Sequence, residues 1–391
     1  MKGLYLKSDF DPRPEYKLKE YEKRTGKIYR SNMVWRNPEL QIKSDIPDPR
    51  PGPKDLVIKV KSCGICGTDV HLVEKDEQGY VIYPWHAKMN ICLGHELSGI
   101  VEEVGSEVVD FKKGDYVCTE EMIWCGECIP CRNGFPNQCE QLEEIGLTVN
   151  GGMAEYCVSP AKICWKLDAV AERLGDVHDV FDFGAMVEPC SVAYNAIFER
   201  GQGLRPGAYA AIYGGGPVGL LSTSLIKSAG AAKVIIFEPQ EGRRALAKTM
   251  GADYVINTDE IEKQGLTPAD VVMELTHGRG ADINVEASGM GHMVFPQISN
   301  SMAVNAHVIQ TAMSGEPVPI LFPPFQGKAA SIFSAIGHSG NGTFENVIRL
   351  MGAGMLDIRP MVYATYSLDQ GVEAFEAAKE RMGAVILFQM K

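Results

Sequence analysis

Apolar positions run unbroken through Tyr209–Tyr213 (YAAIY) and again through Lys233–Phe237 (KVIIF). Each run is bounded by glycine-rich or polar residues, so each predicts a buried strand, and the mixed stretch from Pro217 to Ser228 between them predicts a helix. The pattern continues downstream. "VVMELT" falls in or beside a helix, "ADINVEASG" reads as a strand ending in a turn, and "AHVIQTAMSG" as another strand. Strands alternating with helices predict a parallel, doubly wound α/β sheet. No apolar run approaches the roughly 20 residues that a membrane span needs. The N-terminal stretch through Arg24 is charged throughout and has no apolar signal core, so a cytoplasmic protein without a membrane partner is expected.

The first predicted strand leads directly into Gly214, Gly216 and Gly219, with Pro217 and Val218 between the last two. In this spacing the first glycine permits a tight turn, the second lets a pyrophosphate approach the backbone, and the third allows close helix–strand packing. The phosphates would sit at the helix N-terminus, where free N–H groups favour anions. Glu238 ends the second strand, nineteen residues past Gly219, where a carboxylate can accept hydrogen bonds from ribose hydroxyls. Three glycines alone are weak evidence. The strand before, the helix after and the acid at this distance make a dinucleotide site the expectation. Glu238 would repel a 2′-phosphate, so NAD is expected over NADP. Arg243 and Arg244 are close enough to soften that preference, to cover the adenine, or to be solvated.

Composition bounds the rest. The chain has 391 residues, 45% hydrophobic and 23% charged, which is ordinary for a globular protein and long enough for two domains. A formal charge of -12 argues against a nucleic-acid partner, which needs a basic surface. There are eleven cysteines. In a reducing compartment clustered cysteines point to metal before disulfides. Cys125, Cys128, Cys131 and Cys139 are spaced C-x2-C-x2-C-x7-C, so the short gaps let successive thiolates converge and the long one closes a tetrahedron. Gly126, Pro130, Gly134 and Pro136 predict a loop here. Four sulfurs leave no open position, so this site predicts a structural zinc. Unliganded thiols and an iron–sulfur cluster are the alternatives.

A second metal site with an open position is expected elsewhere. Cys66 and His71 lie in "CGICGTDVH", His95 and Glu96 in "LGHELSG", and Glu188 in "MVEPCSV". Cys, His and a carboxylate suit a catalytic zinc that keeps one position for substrate or water. Singly these residues are weak evidence, since a lone His or Cys more often serves packing or hydrogen bonding.

Taken together, "CGICGTDVH", "LGHELSGIVEEVG", the four-cysteine lobe, "GGMAEY", "VEPCSV", "GGGPVG" and "GVEAFEAAKE" resemble the zinc-dependent medium-chain dehydrogenases, which include alcohol, sorbitol and threonine dehydrogenases. The resemblance covers nearly the whole chain. It implies a Rossmann domain over residues 191–341 inserted in a mainly β, GroES-like catalytic domain. That domain would comprise residues 1–190, with the zinc lobe at 118–140, and a C-terminal return over 342–391. It implies two zinc ions per chain, NAD, a homo-oligomer and a small alcohol or polyol as substrate. Cys66 and His95 match catalytic-zinc ligands, and Glu96 and Glu188 match a ligand or close neighbour. Thr68 and His71 match the proton relay, and Asp69 a residue of local hydrogen bonding. The implied reaction oxidises a secondary alcohol to a ketone, with hydride passing to NAD. A Glu at 188, where alcohol dehydrogenases carry a second cysteine, points to a polyol- or amino-alcohol-like substrate.

The chain departs from the family in two places. A charged, aromatic insertion, "KSDFDPRPEYKLKEYEKRTGKIYRSNMVW", stretches the first hairpin. An exposed insertion is the preferred reading, and a wall of the substrate site or an oligomer contact the sharper one. The gap from Cys66 to His95 is also lengthened, and Tyr83, Trp85 and His86 lie in it. Trp124 is a further pocket candidate. Gly337 and His338 stand where polyol dehydrogenases carry an Arg and an aromatic, which argues against sorbitol. A polyol is the expected substrate class, with an inositol-derived ring polyol or ketone, of scyllo-inosose dehydrogenase type, as its sharper form. A threonine or butanediol dehydrogenase is the runner-up, and a non-catalytic zinc- and NAD-binding redox sensor is the reading from another class.

Overall fold

Two antiparallel strands, Asp55–Gly64 and Glu96–Val104, form the centre of the first of two compact units in this computed structural model. Residues 1–380 and 384–390 are described. The first unit comprises Met1–Glu188 and the C-terminal chain from Val362. Its main sheet has the order Cys164–Lys166, Tyr116–Thr119, Glu96–Val104, Asp55–Gly64, Val385–Gln389, Val362–Tyr366, with Tyr156–Pro160 also paired to Asp55–Gly64. All pairings are antiparallel except that of the last two strands. Leu56, Ile58, Val60, Leu93, Leu97 and Phe388 fill its core and are at most 1% exposed. The strands Gly3–Phe10 and Trp35–Lys43 pair antiparallel in a smaller sheet, with the insertion forming the long connection between them.

The second unit, Pro189–Met361, holds a six-stranded parallel sheet. Its order is Tyr254–Ile256, Lys233–Phe237, Tyr209–Tyr213, Ala281–Glu286, Met302–Gln310, Ser331–Ser334. Numbered within the unit this is 3-2-1-4-5-6, the Rossmann order, in which ligands bind where the strand order reverses. The Gly214 turn lies there, at the end of the first strand, and helix Pro217–Ser228 starts beyond it. The expected boundary near residue 341 falls inside this unit. Helix Thr343–Gly352 belongs to it, and the Ser228 hydroxyl donates to the Met355 carbonyl at 2.8 Å.

One local expectation differs from the structure. The cysteine lobe, read as a loop, contains a helical turn at Ile129–Arg132 and a 3₁₀ turn at Pro136–Gln138. Pro130 and Pro136 both sit in the first positions of these turns, where the missing N–H costs nothing. Among the described residues no helix is long and apolar enough to cross a membrane.

Two glycines of the turn are there for different reasons. Gly214 has φ 102°, a backbone that only glycine adopts without strain. At Gly219 a Cβ would collide with the Gly214 carbonyl oxygen. Gly219→Ala therefore forces the turn and helix apart. We predict that it weakens dinucleotide binding at least about tenfold and destabilises the chain by about 1–3 kcal/mol, measured by titration calorimetry and thermal unfolding.

Candidate functional site

The first centre grows from the strand pairing. Gly64 pairs with Glu96 across the two central strands, so Cys66 lies two residues past one strand and His95 one residue before the other. Cys66 then caps helix Gly67–Val73, its N–H donating to Asp69 Oδ2 at 2.9 Å. The Cys66 sulfur, a His95 ring nitrogen and a Glu96 carboxylate oxygen all lie within 4.8 Å of one another. His95 Nδ1 stands 3.7 Å from Asp69 Oδ1, and Nε2 stands 3.7 Å from Glu121 Oε2. Glu188, in helix Val177–Tyr194, is buried, and its carboxylate approaches that of Glu121 within 4.8 Å. Thr68 and His71 are one turn apart on helix Gly67–Val73, both half-buried, and residues at this spacing share a helix face.

The electrostatics of this centre call for a cation. Burial pushes the Cys66 thiol up to about 11. Burial and the charge of Glu188 push the Glu96 carboxyl up to about 8. Asp69 is fully buried, and burial raises its carboxyl against the opposing pull of His95. His95 Nδ1 and Asp69 Oδ1 have no hydrogen-bond partner among the described residues. A divalent cation between sulfur, imidazole and carboxylate would offset this buried negative charge, and the donor set suits zinc.

The four-cysteine lobe gathers its sulfurs within 4.8 Å of one another. The Cys125 sulfur accepts N–H bonds from Glu127 and Cys128, both at 3.3 Å, and the Cys139 sulfur from Cys125 and Gln141, also at 3.3 Å. Amide donors of this kind favour the thiolate, the form that binds metal. The donors at Cys125 hold its thiol down at about 6. No metal-bridging water or open side is needed, since four soft donors complete a tetrahedron.

In the second unit a cavity of about 640 Å³ opens beside the glycine turn. Gly214, Gly216, Glu238 and Arg243 line it, whereas Pro217, Val218 and Gly219 shape the turn from outside the lining. At Gly216 a Cβ would meet nothing within 4 Å, which leaves the backbone open to a ligand. Glu238 is buried. Its two carboxylate oxygens accept the Gly215 and Gln240 N–H groups, both at 2.7 Å. Asp259 and Glu262 add acidic lining. Arg244 is committed to the carbonyls of Glu238 and Pro239.

Residues 52–169 match the alcohol dehydrogenase GroES-like domain, and residues 217–353 match the zinc-binding dehydrogenase domain. The chain is 43% identical to the scyllo-inosose 3-dehydrogenase of Thermotoga maritima, over 95% of this chain and 94% of that protein. The chain belongs to the zinc-dependent medium-chain dehydrogenases. It is 32% identical to the L-threonine 3-dehydrogenase of Bacillus subtilis, over 88% of this chain and 94% of that protein. A solved structure of a candidate alcohol dehydrogenase from Thermotoga maritima superposes with a TM-score of 0.94 at 40% identity and covers 99% of both chains. As a member of this family the protein is an oxidoreductase acting on a small molecule.

Within this dehydrogenase, Glu121 escaped the reading of the sequence. Ser98 pairs with Cys118, and continuing that register by three residues sets Glu121 opposite His95. Only the strand pairing shows this, because "TEEM" resembles any polar strand end. Trp124, a pocket candidate, packs on the core of the first unit with the Lys162 ammonium 4.2 Å from its ring centre. His338 is fully buried in the second unit against Phe344. Gly64 is also closely fitted, since a Cβ there would strike the Glu96 carboxylate. We predict that Gly64→Ala lowers dehydrogenase kcat/KM at least about tenfold, as expected when a reacting group is misplaced by about 1 Å, while far-UV circular dichroism stays that of the wild type.

Proposed function

We propose that this dehydrogenase oxidises a secondary alcohol of a polyol, of the inositol or inosose ring class, to a ketone with NAD as acceptor. The observation that carries this reading is the convergence of Cys66, His95 and Glu96 in a chain so similar to a scyllo-inosose 3-dehydrogenase. Cys66, His95 and Glu96 would hold the catalytic zinc, with Glu188 beside them, and the four cysteines a second, structural zinc. Bound there, zinc supplies Lewis acidity that lowers the pKa of the substrate hydroxyl. NAD supplies the hydride acceptor.

The chain's own groups do the positioning. Thr68 accepts the hydrogen bond of the substrate hydroxyl. His71, one turn further on and half-exposed, carries the proton to solvent. Asp69 orients the His95 ring from behind, as carboxylates do for metal-bound histidines. The buried acids Glu121 and Glu188 favour a neutral, hydroxyl-rich substrate. The L-threonine 3-dehydrogenase relative keeps an amino-alcohol substrate as the second reading, but a substrate carboxylate would face these acids. Gly214 and Gly216 cradle the pyrophosphate and Glu238 faces the ribose. With Glu238, Asp259 and Glu262 around one cavity against Arg243, and Arg244 committed to the Glu238 and Pro239 carbonyls, a 2′-phosphate meets mostly negative charge. The gathering of Cys125, Cys128, Cys131 and Cys139 as a metal-ligand set supports a reducing, cytoplasmic location. Exposed Leu321 and Phe322 at 60% and 65% support a homo-oligomer.

The test follows NAD reduction over linear polyols, inositols, inososes, 2,3-butanediol and threonine. Preferential turnover of a ring polyol or ketone is expected. Preferential turnover of threonine would overturn the polyol reading. We further predict that Glu238→Ala narrows the preference for NAD over NADP at least about tenfold, the loss of about 1.4 kcal/mol of charge discrimination, read as the ratio of kcat/KM for the two cofactors.

A further inference from the structure

The insertion in the first hairpin is a built structure. Glu22, 1% exposed, is its hub and accepts bonds from the Tyr16 hydroxyl at 2.6 Å, the Lys19 N–H at 2.8 Å and the Tyr29 N–H at 3.2 Å. Burial opposes its charge, but these donors outweigh burial and hold the carboxyl below the usual range. From this hub the insertion grips the lengthened loop between Cys66 and His95. Ser31, fully buried, donates its N–H to the Trp85 carbonyl at 3.1 Å, and its hydroxyl oxygen accepts the Ala87 N–H at 2.9 Å. His86 Nδ1 meets the Ile28 carbonyl at 2.6 Å, and Trp35 Nε1 donates to the Ala87 carbonyl at 3.0 Å. Arg13 pairs with Asp76 and lies 3.9 Å from the Tyr80 ring centre. A surface cover would need none of these buried polar bonds, each of which costs about 1–3 kcal/mol if left unmade.

Between the grips sits Tyr83, 8% exposed. On its N-terminal side Ile82 N–H donates to the Glu74 carbonyl at 3.2 Å, and Glu74 caps the helix that begins at Cys66. On its C-terminal side Trp85 and Ala87 are held by Ser31. The loop that carries the phenol is thereby fixed on both sides of Tyr83. Burial first, then the charges of Glu144, Glu121, Cys66 and Asp69, push its hydroxyl above the usual range. Glu121 Oε2 stands 3.7 Å from His95 Nε2, and the buried Tyr83 hydroxyl is near enough to Glu121 and Cys66 to feel their charges.

We propose that residues 11–34 are a clamp that fixes the loop carrying Tyr83, and that Tyr83 and Glu121, the latter beside His95, recognise the hydroxyls flanking the one oxidised. The phenol donates to one neighbouring hydroxyl, and the carboxylate accepts from another. A ring polyol supplies a hydroxyl on both sides of the reacting carbon, whereas 2,3-butanediol supplies one only. The recognition part rests on the polyol reading above, while the clamp does not.

The test compares Tyr83→Phe and Ser31→Ala with the wild-type holoenzyme. Tyr83→Phe, isosteric but for one hydroxyl, is expected to raise KM for the ring substrate about tenfold with kcat nearly kept, as loss of one substrate hydrogen bond requires. Ser31→Ala, remote from the chemistry, is expected to raise the same KM and to speed amide deuterium exchange over residues 83–87, with NAD affinity unchanged. An unchanged ring-substrate KM in Tyr83→Phe would overturn the recognition role. Unchanged exchange in Ser31→Ala would overturn the clamp, whatever the substrate. A wild type that turns over threonine and no polyol would sink the polyol reading and the recognition role together, and the exchange measurement would still decide the clamp.

Discussion

The register of two antiparallel strands governs the candidate metal centre. Gly64 faces Glu96, and everything that converges there is counted from that pair. Cys66 follows one strand, His95 precedes the other, and Glu121 arrives from the next strand in the same sheet. A slip of one residue would turn every side chain to the opposite face, so the centre is only as well defined as the sheet. The apolar packing of Leu56, Ile58, Val60 and Leu97 fixes that register. The sheet core therefore acts on the chemistry without touching substrate.

The same pairing concentrates negative charge where water is excluded. Asp69, Glu96, Glu121 and Glu188 are all buried around one thiol and one imidazole. Such a group is costly without a cation, because buried unpaired charge is expensive. A bound divalent metal turns that cost into binding. It also means that metal and local order in this region should be coupled, as they are in other sites built from ionised ligands.

Much of this was legible in the sequence. The strand Tyr209–Tyr213, the helix from Pro217 and the strand Lys233–Phe237 could be read because local periodicity and glycine spacing encode them over a few tens of residues. The cysteine lobe could be read from its spacing, though its helical turns could not, since prolines mark both loops and first turns. Glu121 was hidden because its meaning depends on pairing with residues over twenty positions away. The insertion was hidden for the same reason. Ser31 and Ala87 are 56 residues apart, and nothing in a charged, aromatic stretch announces that its polar groups are buried.

Cys66, His95 and Glu96 would hold the catalytic metal, and the four cysteines another. Zinc per chain, counted by plasma emission spectrometry in wild type and Cys66→Ser, tests this most directly. About two zinc ions should fall to about one, the stoichiometry of one closed and one open site, with turnover lost and NAD affinity retained. An unchanged zinc count with turnover intact would contradict it.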